Sequence, residues 1–176
     1  SLVQGVEYYR HSNTDADVEH TGLMHYDLAG YLPQDVEIAC AFDVDERKVG
    51  QPLHEAIFAK PNKAVDIWAD LPDYDVTVEM GPVLDGVSEH MADYPPDETF
   101  LRSHRSPADV AAILKSTGTE VVISYLPVGS QKAAEFYATL PSAVDGAPHI
   151  PFEWKGEHGR IALEALPFPR GTKANH

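Results

Sequence analysis

The chain has 176 residues, a size for one ordinary domain, and its 43% apolar content supports a buried core. It carries 28 Asp and Glu against 13 Lys and Arg, a formal net charge of −15, which disfavours nucleic acid and anionic membranes as partners. No apolar run approaches the roughly 18 residues of a membrane span and no signal-peptide pattern opens the chain, while a single cysteine, Cys40, excludes an intrachain disulfide and makes a reducing cytosol the default.

The acid excess is uneven. Residues 1–100 hold 21 acids and 5 bases, and residues 101–176 hold 7 acids and 8 bases. One reading is an acidic interaction surface or cation site; the other is a solvating surface suited to high salt.

In chain order, Ser1–Arg10 reads as a helix, with Leu2, Val3, Val6 and Tyr9 recurring at helical spacing. A helix that opens without a cap or turn implies that sequence upstream is missing. A polar, Gly-containing connection over residues 12–34 follows. Asp35–Asp43 reads as a strand buried on both faces of a parallel sheet and ending in an acid. Pro52–Lys60 is expected to form a short helix, and Tyr74–Met80 a second strand closed by Gly81-Pro82. Residues 85–100 are loop-rich, with Pro95-Pro96 breaking any helix.

Ser106 is expected to cap a helix with Pro107 at its first position, Val110, Ile113 and Leu114 on its apolar face and Gly118 at its end. Glu120–Leu126 reads as a buried strand, and Pro127–Ser130 as a turn into a helix over Gln131–Thr139. Strand and helix alternating in this way imply right-handed crossovers and a parallel sheet. Residues 140–176 contain five prolines and no sustained period, so an irregular tail is expected.

Few residues stand out for chemistry. An acid ending the second strand of a dinucleotide-binding fold holds the adenosine ribose hydroxyls, and Asp43 has that position; a solvated strand-end acid is the other reading. A charge-assisted hydrogen bond there contributes about 1.5–3 kcal/mol, and the carboxylate would repel a 2′-phosphate. The Gly-rich loop that belongs before the first helix is absent, Ser1 being at most its last residue. The 42 positions from Ser1 to Asp43 exceed the roughly 20 of a plain fingerprint, which an insertion at 12–34 explains. Ser124-Tyr125-Leu126-Pro127-Val128-Gly129-Ser130 lies where a strand's carboxyl end meets a helix, the place where open α/β sheets bind ligands; Ser130 is either part of such a site or a helix cap. None of the nine histidines forms a tight ligand pair, so no metal site is expected.

Several blocks occur together in consistent order over about residues 1–138: SLVQGVEYY at 1–9, GLMH at 22–25, AFDVD at 41–45 with KVG at 48–50, EAIFA at 55–59 with PN at 61–62, GPVLDG at 81–86, and VVISYLPVGS at 121–130. In these the chain resembles the bacterial and archaeal myo-inositol-1-phosphate (inositol-3-phosphate) synthases. It departs from the family pattern at Val83, where the family has Thr. The resemblance implies an α/β fold: a Rossmann-type, doubly wound parallel NAD domain, followed in the family by a catalytic and tetramerising domain. It implies conversion of glucose 6-phosphate to inositol phosphate, with NAD as a cofactor that is reduced and then reoxidised. By matching position, Asp43 would hold the adenosine ribose, Val44 would be a further cofactor-binding residue, and Ser124, Tyr125, Leu126 and Pro127 would line the dinucleotide cleft.

No catalytic residue carries over. The family's GxGNxxS loop would precede Ser1, and its lysine-rich stretch lies beyond residue 138. The expectation is therefore a partial NAD-binding domain over 1–139, lacking its first strand and Gly-rich loop and inactive alone. The tail over 140–176 is expected to come from a shifted frame, a splice or a truncated assembly. An unpaired sheet edge would make the isolated chain fold weakly or self-associate. Two alternatives stand beside this. One is a degenerate, non-catalytic nucleotide-binding or interaction domain. The other is a different Rossmann oxidoreductase, against which GLMH and EAIFA count.

Overall fold

The computed structural model describes residues 2–11, 22–60, 62, 64–85, 93–126, 129–143, 153–154 and 161–162. The chain divides into two compact units, Ser1–Met80 with Pro95–Arg105, and Gly81–Tyr94 with Ser106–His176.

The first unit opens with α1, Leu2–His11. Its inward face is not the apolar stripe expected from the sequence. Gln4, Val6 and Glu7 are buried, and Val3 packs on the core. The two polar residues go inside because each finds partners there. Gln4 Oε1 accepts the backbone N–H groups of Ile67 at 2.7 Å and Trp68 at 3.0 Å. The Glu7 carboxylate accepts Arg10 Nη1 at 2.5 Å. Arg10 Nη2 also donates to the Val36 carbonyl at 3.1 Å, which ties α1 to the chain after the 3-10 turn Pro33–Asp35. Left unpaired, a buried amide or carboxylate would cost several kcal/mol.

Strands β1, Ala41–Asp43, and β2, Val78–Met80, pair in parallel. Ala41 stands opposite Val78, Phe42 opposite Glu79, and Asp43 opposite Met80. Both expected strands are present only at their carboxyl ends. The first is shortened by the turn at Pro33–Asp35, and the second by Asp75, whose φ of 54° interrupts an extended run. Residues 50–53 supply further backbone partners for β2: Gly50 N–H donates to Val78 O at 2.7 Å, Val78 N–H to Gln51 O at 2.9 Å, and Leu53 N–H to Val76 O at 2.8 Å.

Helix α2, Leu53–Ala56, starts from this segment. Leu53 and Ala56 pack with Val76 and Val78 to form the core, flanked by Val3, Ile38, Ala41, Ile57 and Tyr74. Each fully buried Leu or Val side chain contributes about 1.5–3 kcal/mol, so this small cluster is a main source of the unit's stability.

In the second unit, α3 covers Val110–Ser116. Asp109, not Ser106, is its cap: the Asp109 carboxylate accepts the Ala112 N–H at 3.0 Å, and Pro107 lies before the helix. The carboxylate reaches the third amide of the first turn, which Ser106 at its sequence distance cannot do. The helix ends as its sequence indicates. Gly118 has φ +63°, its N–H donates to Lys115 O at 3.3 Å, and Thr119 N–H donates to Leu114 O at 3.0 Å. That is a Schellman closure, which needs a left-handed residue and so favours glycine.

Helix α4, Gln131–Ala143, continues past Thr139 through Pro141, a residue that lacks an amide donor. Within the stretch expected to be irregular, β3, Glu153–Trp154, pairs antiparallel with β4, Ile161–Ala162.

Glu120–Leu126 corrects the sequence reading. It forms no strand, and Val121 and Tyr125 are 44% and 61% exposed. β-Branched residues favour extended backbone, but a strand also needs a neighbour's amides and carbonyls, and no described segment supplies them. Among the described residues the parallel sheet is thus the single β1–β2 pair, in an α/β arrangement with several helices. No described helix is long and apolar enough to cross a membrane.

Candidate functional site

Asp43 is the last residue of β1, at the carboxyl end of a parallel strand, where α/β sheets hold their ligands. Its carboxylate is held from two sides. Oδ1 accepts the N–H groups of Val44 at 2.7 Å and Asp45 at 2.9 Å. Oδ2 accepts Lys48 Nζ at 3.2 Å. The Asp43 side chain remains 31% exposed, so it is both positioned and reachable. Val44 follows directly, and its carbonyl accepts the Ser103 N–H at 2.8 Å.

Asp45 anchors this loop. It is 1% exposed and accepts Arg47 N–H at 2.9 Å, Arg47 Nε at 2.9 Å, Arg47 Nη2 at 2.6 Å and Leu101 N–H at 3.2 Å. Burial raises the Asp45 pKa, but the Arg47 side chain and the backbone N–H groups of Arg47 and Leu101 outweigh it and hold the carboxyl below its ordinary range. The hydrogen bond to Asp45 likewise raises Arg47. The same guanidinium donates from Nη1 to Pro96 O at 2.5 Å and from Nη2 to Thr99 O at 2.7 Å. Glu46 N–H donates to Leu101 O at 2.7 Å. Residues 43–50 are therefore fastened to 96–103 by the Arg47 guanidinium, the Asp45 carboxylate and two backbone bonds.

Gly50 completes the loop with φ +84°, and a Cβ there would collide with the Arg105 guanidinium. The KVG block is explained by this: Lys48 reaches Asp43, Val49 is buried, and Gly50 takes a positive-φ turn that favours glycine.

The other residues expected at a cofactor site belong to the second unit. Ser124 and Leu126 are half-buried and Tyr125 is exposed, in a segment without strand pairing among the described residues. Pro127 lies outside the described residues. Ser130 is buried, and its carbonyl accepts the Ala134 N–H at 2.9 Å. The cap of α4 is Asp85, whose carboxylate accepts Lys132 N–H at 2.7 Å and Ala133 N–H at 3.0 Å. Partial desolvation works against ionisation of Asp85, yet these two amides hold its pKa below the ordinary value.

The sequence places Asp43 at the end of a strand, as observed, and does not single out Lys48, Asp45, Arg47 or Asp85. Lys48 had a signal in the spacing of Asp-x-Asp-x-x-Lys. Asp85 had none, because its partners lie 47 and 48 positions away, and the contacts of Arg47 to Pro96 and Thr99, 49 and 52 positions away, had none either.

No protein-family profile matches the chain. Individual proteins do. Over 138 residues, 78% of this chain, it is 48% identical to the inositol-3-phosphate synthase of Mycolicibacterium smegmatis, of which it covers 36%. Over the same extent it is 45% identical to that of Mycobacterium tuberculosis, covering 35%, and 43% identical to that of Corynebacterium glutamicum, covering 36%. Among solved structures, the crystal structure of Ari2 superposes with a TM-score of 0.62 at 29% identity, over 81% of this chain and 38% of that one. The chain thus spans about a third of the length of the curated relatives it matches. Through these 138 residues the chain is similar to about a third of each of these proteins named inositol-3-phosphate synthase.

Proposed function

We propose that this chain carries the dinucleotide-binding part of an inositol-3-phosphate synthase, built as a Rossmann-type NAD domain. The observation that carries the reading is 43–48% identity, over 138 residues, to proteins named for that activity. The position of Asp43 at the carboxyl end of a parallel strand supports it.

The residues suit the cofactor. Asp43 offers a part-exposed carboxylate whose remaining acceptor position on Oδ2 would accept a ribose hydroxyl, and its charge opposes a 2′-phosphate. Val44 adjoins it on a loop that Asp45 and Arg47 hold in place. Ser124, Tyr125, Leu126 and Pro127 supply further contacts to the dinucleotide. When bound, NAD would supply reversible hydride transfer to and from the sugar phosphate, so that the net reaction would be an isomerising ring closure of glucose 6-phosphate. This chain's part is to bind and orient the cofactor; the groups that hold the sugar phosphate and stabilise the enolate come from family sequence outside the matched third. Assembly into a homotetramer belongs to the same proposal.

The acid surplus of residues 1–100, 21 against 5 bases, favours one second reading: a nucleotide-binding or interaction domain without turnover. One experiment addresses both. NAD is titrated into the chain by calorimetry, and inositol phosphate formation from glucose 6-phosphate is then assayed. Binding with no turnover is expected of this chain alone. Absence of NAD binding would contradict the first reading and leave only the interaction domain.

A further inference from the structure

Asp43 does not meet a nucleotide as a bare carboxylate. A carboxylate has about four acceptor positions. Two on Oδ1 are taken by the Val44 and Asp45 amides, at 2.7 and 2.9 Å. One on Oδ2 is taken by Lys48 Nζ at 3.2 Å. About one position remains, whereas a ribose diol brings two hydroxyl donors. The amides belong to the loop backbone, fastened by the buried Asp45–Arg47 pair, so they do not yield. The Lys48 side chain is flexible and 26% exposed, so it is the group a ribose must displace or share.

Lys48 also changes the local charge. An unaccompanied carboxylate beside the ribose repels a 2′-phosphate, which is how strand-end acids select NAD over NADP. An ammonium 3.2 Å from that carboxylate offsets much of this repulsion and offers a 2′-phosphate a counter-ion. Competition for Oδ2 and charge compensation act in the same direction.

We propose that Lys48 is a specificity residue of the dinucleotide site, one that lowers the preference for a ribose with a free 2′-hydroxyl over a 2′-phosphorylated one. This rests on the reading of Asp43 as the ribose ligand. It concerns how far that ligand discriminates.

The test is the ratio of NAD to NADP affinity, measured by calorimetry on the full chain at fixed salt for the native protein, Lys48→Met, Lys48→Arg and Asp43→Asn. Lys48→Met should raise the ratio by about fivefold, the scale of a partly exposed ion pair. Lys48→Arg, which keeps the charge, should leave it near native. Asp43→Asn should lower it. Thermal unfolding of each variant checks that the fold is kept, and Lys48→Gln serves in place of Met if that variant does not fold. An unchanged or lower ratio in Lys48→Met, with the ratio lowered in Asp43→Asn, overturns the role of Lys48 and leaves the ribose site standing. A ratio insensitive to Asp43→Asn, or no binding of either nucleotide to the native chain, overturns the ribose site and this inference with it.

Discussion

Asp45 and Arg47, two positions apart, make three hydrogen bonds to each other, and the same guanidinium reaches the carbonyls of Pro96 and Thr99. This pair converts a run of charged residues after β1 into a rigid support for Asp43. It also holds together segments that are 49 and 52 positions apart.

Removing the guanidinium would leave the Asp45 carboxylate buried without its counter-ion. Arg47→Ala is expected to destabilise the first unit by about 3 kcal/mol. Arg47→Lys should recover only part of this, because a single ammonium cannot reproduce the fork that serves Asp45, Pro96 and Thr99 together. Urea unfolding of the two variants against the native chain measures both.

The pKa of Asp45 is lowered on folding, which fixes the sign of its pH dependence. Between its folded pKa and the ordinary value of 3.8, the unfolded chain binds the proton that the folded chain refuses. The stabilisation is therefore fully present above pH 3.8 and is lost as pH falls through the folded pKa. Asp45→Asn removes this contribution. The stability gap between native and variant should narrow on acidification below that value, as read by unfolding midpoints across a pH series.

Leu53 is 5% exposed at the centre of the first unit's core. Leu53→Ala is expected to cost about 2–5 kcal/mol, through lost burial and the cavity left behind. Denaturant unfolding checks the value, and a cost below about 1 kcal/mol would mean that this cluster is not the unit's core.

Asp85 accepts the first free amides of α4 from 47 and 48 positions away. Asp85→Ala should speed hydrogen exchange at Lys132 and Ala133, while Asp85→Asn, which keeps one acceptor oxygen, should protect them in part. Exchange rates measured residue by residue separate this local effect from global loss of stability.

The sequence was most informative where local chemistry decides the outcome. The period of Leu2–Arg10, the glycine at 118 and the acid closing an apolar run each produced the feature expected of them. It was least informative where a distant partner decides. Gln4 and Glu7 look like the polar side of α1, yet they are buried because Ile67, Trp68 and Arg10 satisfy them. Asp45 and Arg47 look like solvent-facing charges, and only the 96–101 segment gives them a role. The opposite error occurred at Glu120–Leu126, where strand propensity was read correctly but no described neighbour pairs with it. In the candidate site, the place of Asp43 at the end of β1 was legible, whereas Lys48 needed the turn after Asp45, whose carbonyl accepts the Lys48 and Val49 N–H groups at 3.0 and 2.9 Å, to bring it back to the carboxylate.

The most direct test of the account is calorimetric titration of NAD into the native chain and into Asp43→Asn. Saturable one-to-one binding that weakens about tenfold or more in the variant is the predicted result, the scale of a lost charge-assisted hydrogen bond. Equal affinity in the two proteins, or no binding to the native chain, would contradict it.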